Sequence, residues 1–367
     1  MLRYEREDGC RAWLARGWKH PLGLAALLEK AGTAGAVYDR TMRDGGALLR
    51  EYLPEADVKA LLDGARPEEM HRMMLAMREH DIAVIAFDDS DYPPALSVTD
   101  QAPVFLFAVG DPSRMRGRCL TVVGSRQASP RAVSDCRSIC RELSERGVTV
   151  VSGMAVGIDT AAHEGSLQGG TPGIGVLGCG LDVDYPAASR QLKRDMLDAG
   201  GLLIGECPPG TRANRWSFPM RNRILSGLSK GVAVIECRAR SGTMSTVGHA
   251  LDQGREVFAR PGEPGSVYGE GTRSLLRDGA RFFETAEDLL EDLGWETGAP
   301  PKRDASEKTV TTPGMNLILR SLHTGVKGFD ELIAETGLDT GTLSISLTLM
   351  QMSGLITALP GKTYAVV

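Results

Sequence analysis

Residues 119–151 read CLTVVGSRQASPRAVSDCRSICRELSERGVTVV. The run CLTVV is apolar, β-branched and too short for a helix, which makes it a buried strand. Ser129 followed by Pro130 is a helix start: a serine hydroxyl can accept a free backbone N–H, and proline at the first helical position loses no hydrogen bond. Val133, Cys136, Cys140 and Leu143 then share one helical face, and Gly147 closes the segment. A second apolar run follows at 148–151. Strand, helix and strand in this order form a βαβ unit, whose two strands are parallel.

The alternation continues outward from this unit. Short apolar runs at 173–177, 202–204, 231–235 and Glu256–Ala259 are separated by helical patterns, and the 44 glycines cluster between 117 and 279. The expected fold class is therefore α/β, with an extended Rossmann-like parallel sheet core over 81–295. Residues 1–80 read as short helices around 22–30, 47–53 and 68–79, a small helical domain of the SAM or helix-hairpin-helix kind. The stretch 296–313 contains GAPPKRDASEKTVTTP, has no apolar period and reads as a linker. Over 314–367 the pattern predicts a helix ending at His323, a second over Phe329–Thr336 and a third over Thr340–Met352. Apolar runs at 355–359 and 363–367 flank Pro360-Gly361, so this segment reads as a winged-helix-like domain. No internal repeat is present.

A chain of 367 residues is long enough for two or three domains. Hydrophobic residues at 42% and charged residues at 24% exclude a mostly disordered or fibrous chain. No apolar stretch approaches the roughly 18 residues needed to cross a bilayer, and no signal segment opens the sequence, so neither membrane insertion nor export is expected. Seven scattered cysteines without a CxxC pair fit a reduced, cytoplasmic protein. Cys136 and Cys140 lie one turn apart, but no second ligand pair follows at zinc spacing, so buried packing is expected and no metal. The net charge of -5 argues at face value against a nucleic-acid partner.

The loops after the apolar runs qualify that argument, because ligands of an open parallel sheet bind beyond its carboxyl ends. They read Gly124-Ser125-Arg126, Ser152-Gly153-Met154-Ala155-Val156-Gly157-Ile158-Asp159, Gly178-Cys179-Gly180 and Arg240-Ser241-Gly242-Thr243. Glycine permits close backbone approach, hydroxyls donate, and the next helix offers unpaired N–H groups, a combination suited to phosphate. Such turns also serve geometry alone, and one loop would carry little; four on one rim carry more. The literal GxGxxG at 173–178 is the apolar run itself rather than a turn after one, which disfavours a dinucleotide enzyme.

The segment after 211 is the most distinctive. It reads TRANRWSFPMRNR, arginines interleaved with Trp216 and Phe218. From 212 to 240 seven basic residues stand against one acid, a local +6 in a chain of -5, so the remainder sums to -11. A focused basic patch draws polyanions to one face. Arginine forks grip phosphates and exposed aromatics stack on bases, which points to single-stranded nucleic acid. Trp216 reads equally as core or as a stacking surface. His163, four residues after Asp159, could form an acid/base pair with it, and Asp182, Asp184 and Glu206 lie at strand ends. No nucleophile elbow is present, so a hydrolase is disfavoured.

Taken in order and spacing, the motifs GSRQASP, SGMAVGIDTAAH, VLGCGLDVDYP, FPMRNRILSGLS, SGT and GREVFARPG resemble the DprA/Smf family of bacterial DNA-processing proteins over about residues 80–290. The resemblance implies an extended Rossmann fold that binds single-stranded DNA without sequence preference, forms homodimers and helps load RecA onto incoming DNA in natural transformation. It implies no catalysis and no cofactor. By position, Arg126 would hold a phosphate, Arg215 a basic DNA contact, and Phe218 an aromatic one. Ser152 and Gly153 would be backbone donors, and Arg221, Asn222 and Arg223 match an RNR stretch divided between groove and loop support. With the loop positions Gly124, Ser125, Ser217, Arg240, Ser241 and Gly242, these are the expected DNA-binding residues. Trp216, Met220 and arginine at 215 depart from what every member would carry. The competing enzyme class, cytokinin-activating phosphoribohydrolases, places a glutamate where this chain has Thr246, so its acid is missing. A transcription factor acting through 314–367 is weakened by few basic residues there, Arg320, Lys327 and Lys362.

Overall fold

The computed structural model describes residues 6–262, 266–295, 313–322, 325–352, 356–359 and 363–366. The chain divides into two compact units, 1–301 and 302–367. The first is built on nine strands: β1 (Ala83–Ala86), β2 (Phe105–Gly110), β3 (Cys119–Val123), β4 (Thr149–Ser152), β5 (Ile174–Leu177), β6 (Leu202–Gly205), β7 (Gly231–Val234), β8 (Glu256–Ala259) and β9 (Arg281–Phe282). Their order is β1-β2-β6-β5-β4-β3-β7-β8-β9. From β6 to β9 every neighbouring pair is parallel, and β1-β2-β6 adds an antiparallel edge.

All six expected strands form. The helix between β3 and β4 runs Pro130–Glu145, capped by the Ser129 hydroxyl on the Ala132 N–H, and buries Cys136, Ile139, Cys140 and Leu143. Sequence reasoning missed β1, β2 and β9. The first two change the domain picture. Among the described residues six α-helices precede the sheet, from Arg6–Leu14 to Pro67–Glu79. Their core, around Trp13, Leu27, Leu49 and Leu61, continues into Val84, Phe105 and Phe107 of β1 and β2. The expected boundary at 80 therefore falls inside one compact unit, because the helices bury their apolar faces on the antiparallel edge rather than on each other alone. All seven cysteines are buried free thiols.

The second unit has helices Pro313–Leu322, Phe329–Thr336 and Thr340–Met352 with strands β10 (Lys327–Gly328), β11 (Ile356–Leu359) and β12 (Thr363–Val366), in the order β10-β12-β11. Ile318, Leu332, Leu343 and Leu347 form its core. This is a winged helix. His323, the Pro360-Gly361 turn and the linker except Pro313 lie outside the described residues. Among the described residues no helix is long and apolar enough to cross a membrane.

Candidate nucleic-acid interface

Successive strands are added outward on one side from β3 to β6 and on the other from β7 to β9, so the loops after the parallel neighbours β3 and β7 lead to opposite faces and leave a crevice at the carboxyl edge. A groove of about 830 Å³ lies there. Gly124, Ser125, Arg126 and Gln127 enter it from β3, Ala155 and Asp159 from β4, Tyr185 from β5, and Arg238, Ser241 and Gly242 from β7. Asn214, Arg215 and Phe218 close it at the start of the helix Ser217–Leu228. Thr243 Oγ1 donates to Gly124 O at 3.1 Å, tying the two parted loops. Glycine is demanded where these loops touch. Gly157 has φ of 88°, and a Cβ there would lie 2.4 Å from Ser125 O; a Cβ on Gly153 would lie 2.6 Å from the Arg221 guanidinium.

The groove is cationic at its rim. Arg126, Arg215 and Arg238 line it, Arg212 and Arg240 stand nearby on the same loops, all five are exposed, and among the described residues none of them stands in an ion pair. Three of the guanidinium groups lie over rings instead: Arg126 over Phe218 at 5.4 Å, Arg215 over Trp216 at 4.8 Å and Arg238 over Tyr268 at 5.1 Å. Such stacking leaves the charge and most donors open to a ligand. Phe218 is half-buried between Arg126 and Tyr185, whose ring centroid is 5.7 Å away. Trp216, which the sequence left open, is 66% exposed and therefore surface rather than core. A smaller recess of about 80 Å³ adjoins, sharing Arg126, Tyr185, Phe218 and Arg221.

Several expected contacts are corrected by burial. Arg223 is sealed at 2% exposure in an ion pair with Glu206, and it also donates to Gln101 O. Burial pushes the Glu206 carboxyl up to about 7, against the pull of Arg223. The Ser152 hydroxyl is fully buried and donates to Val122 O at 2.6 Å; that of Ser217 donates to Asn214 O at 2.9 Å. None of these three side chains is free for a ligand; the role expected of Ser152 is that of a backbone donor, which does not use its hydroxyl. Arg240 is exposed on its loop but does not line the groove. Arg221 lines it while bracing the sheet, donating to Gly153 O at 2.8 Å and to Val176 O, the ends of β4 and β5. Asp159 faces it from the floor, its carboxyl raised by burial and held down by Arg221. Asn222 reaches across to Gly242 O at 3.5 Å.

The imagined acid/base pair does not form a site. His163 is fully buried, and burial lowers its pKa to about 4. Asp182 accepts the Gly210 N–H and Asp184 pairs with Arg190. Sequence reasoning missed Tyr185, Asn214 and Arg238 as groove residues. Tyr185 sits in the quoted VLGCGLDVDYP motif, so a signal was present; its meeting with Phe218 joins two distant loops and has no local trace.

The family model for DNA recombination-mediator protein A matches residues 83–294, and that for the DprA winged helix domain matches 299–362. Protein Smf of Escherichia coli is 37% identical over 284 residues, 76% of each chain. The X-ray structure of DNA processing protein A from Streptococcus pneumoniae superposes with a TM-score of 0.57 at 30% identity, covering 74% of this chain and 97% of that one. Its counterpart from Helicobacter pylori, solved for its single-stranded DNA binding mode, gives 0.53 at 26% identity, covering 58% and 95%.

Proposed function

The chain belongs to the DNA recombination-mediator protein A family, and from that premise we propose that its switch-point groove binds single-stranded DNA without sequence preference. The observation that carries the reading is the rim: exposed arginines that stand in no ion pair among the described residues, drawn from separate loops and laid over aromatic rings. Arg126, Arg215 and Arg238 meet phosphates, while Phe218 and Trp216 offer faces on which bases stack regardless of identity. Gly124, Ser125, Gly153, Ser241 and Gly242 let the strand approach the backbone, and Arg221 and Asn222 brace the loops through Gly153 O and Gly242 O. The binding is non-catalytic and needs no cofactor.

The ring faces of Phe218 and Trp216 favour a flexible single strand, whose bases can turn onto them, over a stacked duplex. Fluorescence anisotropy with single- and double-stranded oligonucleotides across a salt series tests this. Tighter binding of single strands of any sequence, with a steep salt slope, is expected; equal affinity for duplex would overturn it. We place the protein in the cytoplasm as a homodimer that protects incoming DNA and loads RecA during natural transformation. Light scattering reports the dimer, and RecA filament formation on strands coated by a single-strand binding protein reports loading. The phosphoribohydrolase alternative lacks its acid, since Thr246 stands there and is 2% exposed; incubation with AMP is expected to release no adenine.

A further inference from the structure

A second concavity, sharing no lining residue with the groove, opens between the N-terminal helices and the end of β1. Its volume is about 480 Å³. Leu22 and Ala25 of the helix Pro21–Ala31 form one wall, and Phe87, Val104 and Phe105 the other. Val98, between the lining residues Ser97 and Thr99, is 77% exposed and Leu22 is 67% exposed, the two highest values for large apolar side chains among the described residues. Phe87 adds a ring at 46% exposure. A clustered apolar surface around an apolar concavity marks an interaction site rather than scattered surface residues.

The charge at its edge states what kind of partner fits. Arg11 is neutralised by a two-pronged contact with Asp89, at 2.9 and 3.1 Å, and the Glu7 carboxylate accepts the N–H groups of Ala34 and Gly35. Asp88 and Asp100 line the same opening, are exposed, and stand in no ion pair among the described residues. Two uncompensated carboxylates repel nucleic acid and attract cations. We infer that this concavity docks an amphipathic, lysine- or arginine-bearing segment of a partner protein. Its apolar side chains seat on Leu22, Ala25 and Phe87, and its cations face Asp88 and Asp100, as in helix-in-groove recognition.

The test uses the full chain without DNA and a fluorescein-labelled 14-residue amphipathic Leu/Lys peptide, read by anisotropy. A Ser/Lys peptide of equal charge and a Leu/Glu peptide of equal apolarity are the comparators. The Leu/Lys peptide is expected to bind at least ten-fold more tightly than either. Leu22→Glu and Ala25→Trp alter exposed positions, so folding survives; each is expected to weaken binding at least ten-fold. The paired change Asp88→Lys with Asp100→Lys moves the preference toward the Leu/Glu peptide. Single-stranded DNA affinity stays unchanged in all variants, which separates this site from the groove. Equal binding of the Ser/Lys peptide, or undiminished binding by Leu22→Glu and Ala25→Trp, overturns the inference. Self-association abolished by Leu22→Glu assigns the surface to a second copy and equally overturns it.

Discussion

Arg215 and Arg223 stand in the same short stretch, TRANRWSFPMRNR, yet the fold gives them opposite work. Arg215 is exposed, unpaired among the described residues and laid over Trp216. Arg223 is sealed against Glu206 at side-chain exposures of 3% and 6%. One charge faces solvent and the other holds two elements together. The difference teaches that a run of arginines counts as a binding surface only after the buried ones are subtracted. The local +6 overstates the rim, because Glu206 lies outside the counted segment and neutralises Arg223, and Lys230 donates to Leu293 O.

The sharpest way to break this comparison is to remove the buried partner. Arg223→Ala leaves Glu206 uncompensated and is expected to cost about 3–5 kcal/mol in urea unfolding, with Glu206→Ala similar and the double variant recovering part of the loss. Oligonucleotide affinity per folded molecule should stay near the parent value; a large change would place Arg223 in the groove after all.

The interior also predicts an acid-sensitive stability. Burial holds His163 neutral in the folded chain down to about pH 4, whereas the unfolded chain protonates it near 6.5. Because the folded-state pKa is lowered, the contribution is complete above 6.5 and is lost as pH falls through 4, up to about 3 kcal/mol. Unfolding curves of His163→Leu over that window should show a flatter slope than the parent. An unchanged slope would assign the acid response to other groups.

At the rim the effects shift from stability to binding. Phe218→Ala is expected to lose about 1–3 kcal/mol of oligonucleotide binding for one stacked base, with little change in salt slope. Arg126→Ala or Arg215→Ala should weaken binding at every sequence by about 1 kcal/mol and lower the slope by about 0.7 per lost phosphate contact. Both arginine variants keep their unfolding free energy within about 0.5 kcal/mol. Rim variants that unfold the protein while sparing binding would invert the comparison.

Much of the architecture was legible because its signals are local. A run of four or five apolar residues, a Ser-Pro start and a closing glycine each act within a few residues, so the six parallel strands and the three helices of the winged unit fall where pattern places them. The carboxyl-edge loops were legible for the same reason: parallel topology sends every strand end to one rim. What the chain alone left open is which polar groups are covered. Glu206 meets Arg223, Tyr185 meets Phe218 and Arg11 meets Asp89 across 78 positions, and β1 and β2 weld the N-terminal helices to the sheet. Burial is set by atoms brought close in space, so the tertiary structure decided which arginines are covered and which stay exposed.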